Sequence, residues 1–154
     1  MVYATVLMLM QVVDLLLSQG AAGDVNSAAA LGFTPLLRAA EGGHTRIVKT
    51  LLHKGASNDS KTSQGNTALL LACSKGHADT AACLVAEAGA QLLEKANAQG
   101  FTPLLMACQY GHAALAEALV QQGAVTSART DRGFTALMLA CQHGQLKVSS
   151  VLEC

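Results

Sequence analysis

Apolar residues are distributed along the chain in pairs of short stripes at helical spacing. In residues 32–64 the first stripe begins at Pro35 and includes Leu36, Ala39 and Ala40. After a Gly-Gly pair, the second stripe consists of Ile47, Val48, Leu51 and Leu52. Thr34 can cap the first helix, and Gly55 with the polar run SNDSKTSQ can end the second. The pattern therefore predicts a helix, a tight turn, a second helix and an extended loop.

The same pattern occurs four times in register. The segment GFTPLLRAAEGGH at 32–44 returns as GNTALLLACSKGH at 65–77, GFTPLLMACQYGH at 100–112 and GFTALMLACQHGQ at 133–145. The opening glycines lie 33, 35 and 33 residues apart, and periods in this range are typical of stacked repeats. Helices this short are marginal alone, so neighbouring units must bury one another's apolar faces. We therefore expect one elongated array rather than several domains.

These segments resemble the ankyrin repeat, whose motif is roughly D-x-x-G-x-T-P-L-H-x-A-A-x-x-G-H followed by a helix ending L-L-x-x-G-A. The resemblance covers nearly the whole chain. It implies an all-α fold, namely an ankyrin-type helix-turn-helix repeat solenoid with short β-hairpin-like loops. The single array 1–154 then divides into a partial N-terminal repeat (1–31), three full repeats (32–64, 65–99 and 100–132) and a truncated C-terminal repeat (133–154).

One departure from the motif is the loss of the histidine after T-P-L. Its place is taken by Leu37, Leu70, Leu105 and Met138. The Thr-to-His hydrogen bond found in many members of the family cannot form here, so the start of each first helix should be more apolar. Residues 11–21 resemble the second helix of an earlier repeat, although the helix before them matches poorly.

Charge and cysteine usage restrict the partner and the compartment. Lys plus Arg and Asp plus Glu each number ten, which disfavours nucleic acid as a partner. Cys73, Cys108 and Cys141 occupy the same place in successive repeats, where helices roughly 8 to 10 Å apart cannot be joined by disulfides. Buried thiols indicate an intracellular location, cytoplasmic or nuclear.

The apolar stretch at residues 2–10 raises the question of a membrane segment. Gln11 and Asp14 interrupt it, whereas a membrane span needs about 20 apolar residues. The stretch also has no basic residues of the kind that precede a secretory signal. We expect a buried helix and no membrane span, with targeting or anchoring as the alternative.

The polar residues give little indication of a catalytic site or a metal site. His44, His77 and His112 occur once per repeat, so they should be roughly 8 to 10 Å apart and unable to share one metal ion. The resemblance implies a structural role for them at the turn between helices. Cys141 and His143 are two residues apart on a predicted helix and do not face each other. We therefore expect no enzyme activity, no metal and no cofactor.

A partner surface is implied by the resemblance on the concave side, at the loop tips and first helices. The candidates at the tips are Leu31, Phe33, Asn66, Gln99, Phe101, Arg132 and Phe134. Those on the first helices are Glu41, Lys75, Tyr110 and His143. The phenylalanines share one repeat position, and they either bind a partner or pack against neighbouring loops. Tyr110 is either an interface hot spot or an ordinary surface residue.

Arg38 stands where the other copies have leucine or methionine. It is expected to reach solvent or to pair with Glu41, three residues further on, with contact to a ligand as the alternative.

The function that these features predict is a non-catalytic protein–protein interaction module, a scaffold or adaptor that binds a protein or peptide in its concave groove. The alternative is a substrate-recruiting arm of a larger protein, such as a ubiquitin ligase, kinase or channel. A spacer without a specific partner is a third possibility. Apolar segments around 7–13 and 148–152 also predict self-association, because terminal repeats normally need polar outer faces.

Overall fold

The computed structural model describes residue 15, residues 25–142 and residue 144. Its α-helices, in chain order, are α1 (Pro35–Glu41), α2 (Thr45–His53), α3 (Ala68–Lys75), α4 (Ala78–Ala88), α5 (Pro103–Tyr110), α6 (Ala113–Gln121) and α7 (Ala136–Gln142). Short 3₁₀-helices occur at Ala30–Gly32 and Ala90–Glu94. Across this part of the chain, β-structure is confined to one isolated antiparallel bridge between Arg129 and Thr135. The expected all-α helix-turn-helix solenoid is confirmed.

A threonine caps the N-terminus of the first helix in each repeat. Thr34 Oγ1 accepts a hydrogen bond from the N–H of Leu37 at 3.4 Å, and Thr67 and Thr102 do the same in the next two repeats. These bonds satisfy N–H groups that have no partner within the helix. Pro35 and Pro103 fit at the first helical position, where a missing N–H has no cost.

The first helices stack in sequence, α1 on α3, α3 on α5 and α5 on α7. The leucines that replace the histidine of the motif lie fully buried between them at Leu37, Leu70 and Leu105. Burying a leucine side chain contributes about 1.5–3 kcal/mol, so this row is a major source of the stacking energy. Met138 holds the same position in α7 but is 51% exposed, because among the described residues no further first helix covers it.

Two histidines, each at the start of a second helix, form hydrogen bonds with the preceding repeat. His77 Nε2 donates a hydrogen bond to the carbonyl of Glu41 at 3.1 Å, and His112 Nε2 donates to the carbonyl of Ser74 at 3.2 Å. The accepting carbonyls lie near the C-terminal ends of α1 and α3, where helical carbonyls have no intrahelical donor. The expected structural role is therefore confirmed for these two histidines.

The second repeat contains two residues more than the others before the next glycine. This extra length forms part of the 3₁₀-helix Ala90–Glu94, in which Leu92 and Leu93 are buried. The insertion is therefore packed against the core rather than looped into solvent.

Some sequence-based predictions fall on residues outside the described part of the chain. They concern the buried helix at 2–10, the second helix of an earlier repeat at 11–21 apart from residue 15, the apolar segments around 7–13 and 148–152, and His143. In the part that the structure describes, every helix is too short or too polar to cross a membrane.

Candidate protein-binding groove

The loop tips, which were predicted to form part of the partner surface, are joined from repeat to repeat by backbone hydrogen bonds. The N–H of Ser63 donates to the carbonyl of Leu31 at 2.9 Å, that of Ala98 to Gln64 at 3.1 Å, and that of Asp131 to Gln99 at 3.1 Å. Each tip is also closed internally, as where the N–H of Thr130 donates to the carbonyl of Phe134 at 2.9 Å. These bonds hold the tips in register, so their side chains are presented at fixed positions.

The predicted partner-binding residues differ in accessibility. Exposed side chains belong to Leu31, Lys75, Gln99, Tyr110, Arg132 and Phe134. Partly buried side chains belong to Phe33, Glu41 and Phe101. Tyr110 is 55% exposed at the end of α5, so its ring is available to a partner.

Asn66 is buried, with 8% of its surface exposed. Its Oδ1 accepts a hydrogen bond from Asn97 Nδ2 at 2.9 Å, and its Nδ2 donates to Gln64 Oε1 at 3.4 Å. Asn97 Oδ1 in turn accepts from the backbone N–H of Phe101 at 3.0 Å. Asn66 therefore holds two loops together, and its burial removes it from the surface that a partner could touch.

The phenylalanine row is not uniform. Phe33 and Phe101 are partly buried and pack against the hydrophobic core, whereas Phe134 is 37% exposed. The guanidinium of Arg38 lies over the Phe33 ring, 3.7 Å from its centroid, and its Nη1 lies 3.0 Å from Glu41 Oε2. Arg38 thus makes the predicted pair with Glu41 and a cation–π contact that the sequence did not indicate.

A cavity of about 450 Å³ lies between the third and fourth repeats. Four of the predicted residues line it, namely Gln99, Phe101, Arg132 and Phe134. Gln109, Gln142 and Asp131 also line it and were not predicted. A signal was available for the two glutamines, because the corresponding residues of the other repeats, Glu41 and Ser74, are polar within otherwise apolar helices.

Gln109 Oε1 is buried and makes no hydrogen bond to any residue within the described ranges. An acceptor in this state loses its hydration without gaining a donor, which is unfavourable. Gln109 therefore lines the cavity together with Phe101 and Phe134, while its unsatisfied Oε1 lies beneath the accessible surface.

Of the three cysteines expected to be buried, Cys73 and Cys108 lie in the core, whereas Cys141 is exposed, so that expectation is wrong for Cys141. Cys73 and Cys108 are fully buried. Burial raises the pKa of the Cys108 thiol to about 12, and it raises the pKa of Cys73 still further. Both thiols are therefore protonated near neutral pH, and a thiol is a poor nucleophile compared with a thiolate. Among the residues that the structure describes, no three His, Cys, Asp or Glu side chains converge as a metal site.

Comparison with known proteins gives two findings. The family model for ankyrin repeats, which spans three copies, matches residues 2–96 and 90–153. A curated protein of Caenorhabditis elegans, "Ankyrin repeat and KH domain-containing protein mask-1", is 47% identical over 53 residues. That match covers 34% of this chain and 2% of the relative, so the chain spans only a small part of the relative's length.

Proposed function

Because the chain belongs to the ankyrin-repeat family, whose members generally mediate protein–protein interactions, we propose that it is a non-catalytic scaffold or adaptor. Its partner is a protein or peptide that occupies the concave groove between the loop tips and the first helices. The observation that carries this proposal is the cavity between the third and fourth repeats, which four of the predicted partner-binding residues line. Tyr110, next in sequence to the cavity residue Gln109, supplies an exposed aromatic ring of the kind enriched among interface hot spots.

A protein partner is favoured over nucleic acid by the balance of charge. The ten basic residues are matched by ten acidic ones, so the chain has no cationic excess to neutralise phosphates. We place the protein in the cytoplasm or nucleus, because Cys73 and Cys108 are buried as thiols.

Affinity capture from cell lysate tests the proposed groove. The baits are the wild type, a groove variant (Tyr110→Ala with Phe134→Ala) and a control variant (Gln121→Ala with Val125→Ala). Both variants shorten two exposed side chains, but those of the control lie at and after the end of α6. We expect at least one protein to be retained by the wild type and the control and lost from the groove variant. Recovery of the same proteins by all three baits would contradict the proposal.

A second candidate is that the array recruits substrates for a larger protein such as a ubiquitin ligase, kinase or channel. It is supported by the curated relative, in which the matched segment is a small fraction of a much longer chain. An antibody against residues 32–132 would distinguish the two candidates by immunoblot. A band far above 15.8 kDa supports the recruiting arm, whereas a band at that mass supports the separate module.

A further inference from the structure

We propose that the cavity between the third and fourth repeats binds an arginine side chain of the partner. This inference rests on the proposed function, since it names the chemistry by which the groove recognises a peptide. Three residues that line the cavity carry it: Gln109, whose Oε1 has no hydrogen-bond partner in the described ranges, Asp131 with its carboxylate, and Phe134 with its exposed ring.

The Gln109 oxygen requires a donor. It is buried beneath the cavity surface and has no hydrogen-bond partner in the described ranges, so a ligand N–H would satisfy it once the side-chain amide rotates towards the cavity. A guanidinium carries five N–H donors in a planar fork and no acceptor, which allows it to serve more than one oxygen at a time. A backbone amide offers a single N–H, and the three donors of a lysine ammonium are not arranged in a plane.

The Asp131 carboxylate provides the opposite charge. The ion pairs within the described ranges are Arg38–Glu41, His53–Glu87 and Lys95–Asp59, so Asp131 is not neutralised by any of them. Arg132, its neighbour in sequence, also lines the cavity and opposes a cationic ligand. Both side chains are exposed, so water screens the two charges alike, and the carboxylate adds only a modest preference for a cation.

The first repeat shows the same recognition within the chain itself. The Arg38 guanidinium stacks on Phe33 at 3.7 Å and pairs with Glu41 at 3.0 Å. In the fourth repeat Phe134 replaces Phe33, Gln142 replaces Glu41, and Leu139 stands where Arg38 would be. All three line the cavity. The fourth repeat thus keeps the aromatic ring and a polar acceptor but has no arginine of its own.

A peptide titration followed by ¹H–¹⁵N NMR of the full chain tests the inference. The probe is the capped tripeptide acetyl-Gly-Arg-Gly-amide, and the comparison peptides carry lysine or citrulline in place of arginine. Citrulline keeps the planar shape and loses the charge. We expect the arginine peptide to bind most tightly and to shift the amide signals of Phe101, Gln109, Asp131 and Phe134.

Two matched variants test how much the Asp131 carboxylate contributes to the affinity for the arginine peptide. Asp131→Asn should weaken arginine binding roughly threefold, the effect of an exposed ion pair, because the substitution removes the charge and preserves the shape. Asp79→Asn removes the same charge from the exposed first turn of α4 and should leave the affinity unchanged. Circular dichroism verifies that both variants keep the helical content of the wild type.

Three results would overturn the inference. They are equal binding of the lysine or citrulline peptide, no localised shifts at millimolar arginine peptide, and equal affinities of Asp131→Asn and Asp79→Asn. Each is distinguishable from failure of the proposed function. If the groove variant still loses a captured protein while the arginine peptide fails, the module binds proteins through other chemistry in the groove.

Discussion

Gly100 and Gly133 occupy the same position in consecutive repeats, with φ of 78° and 81°, but only Gly100 has another loop against it. A β-carbon at Gly100 would lie 2.7 Å from the backbone nitrogen of Asp131, whereas one at Gly133 would meet no atom within 4 Å. Alanine at either position incurs a left-handed backbone penalty of about 1–2 kcal/mol. Gly100→Ala must in addition displace Asp131, whose N–H bonds to Gln99.

We therefore expect Gly100→Ala to lower the free energy of unfolding more than Gly133→Ala does. Urea denaturation followed by far-ultraviolet circular dichroism measures both values on the same chain. Equal losses would mean that the loop tips separate easily, and the tight junction between the third and fourth loops would then contribute little to stability.

Other residue roles differ in how far the sequence could predict them. The capping role of Thr34 follows from its place before Pro35 and is confirmed by its bond to Leu37. Asn66 was predicted to face a partner because it stands at a loop tip, which the family resemblance assigns to the concave side. Its burial depends on Asn97, which lies 31 residues further along in the adjacent loop. Pairing of this kind between repeats leaves no local signal in the sequence.

At the scale of helices, a histidine joins a second helix to the repeat before it. His77 bonds to the Glu41 carbonyl, and its ring lies so close to Gly43 that a β-carbon there would be 2.6 Å from Nδ1. His44 has the same position in the first repeat, and its side chain is exposed. His77→Ala should therefore cost about 1 kcal/mol more than His44→Ala, from the lost hydrogen bond and the lost packing.

Thermal and urea unfolding of the two histidine variants provide the comparison. Because both substitutions remove the same ring from the same position in the repeat, differences in helix propensity largely cancel. A His44→Ala variant that is as unstable as His77→Ala would show that the histidine acts within its own repeat, and that the bond between repeats is unimportant.

Helices were more predictable than the segments between them. Pro35 and the Gly-Gly pair correctly indicated the start and end of α1, because capping and helix-breaking residues act locally. From the sequence, the extra length of the second repeat could be recognised only as two additional residues before the next repeat glycine. That Leu92 and Leu93 are buried there is a consequence of packing against α4 and α5, which the spacing of glycines does not reveal.

Stacking determines the properties of the whole molecule, because the same residue type has a different environment at each position along the array. Leu36, Leu69 and Leu104 are buried, while Leu137 at the equivalent position is exposed. The cavity that carries the proposed function is likewise a product of two repeats in contact. The sequence could indicate its rim through Phe101 and Phe134, but its unsatisfied Gln109 oxygen depends on side-chain packing across the junction.

An exposed apolar face on α7 offers a surface through which the predicted self-association can occur. Leu137 and Met138 are exposed there, and a second copy could cover them as the next repeat covers Leu104 and Leu105. We expect the average mass in sedimentation velocity to rise above 15.8 kDa with concentration, and Met138→Lys to suppress the rise. Val125→Lys places the same charge on another exposed apolar residue and should not. If Met138→Lys associates as the wild type does, contact between copies does not use this face of α7.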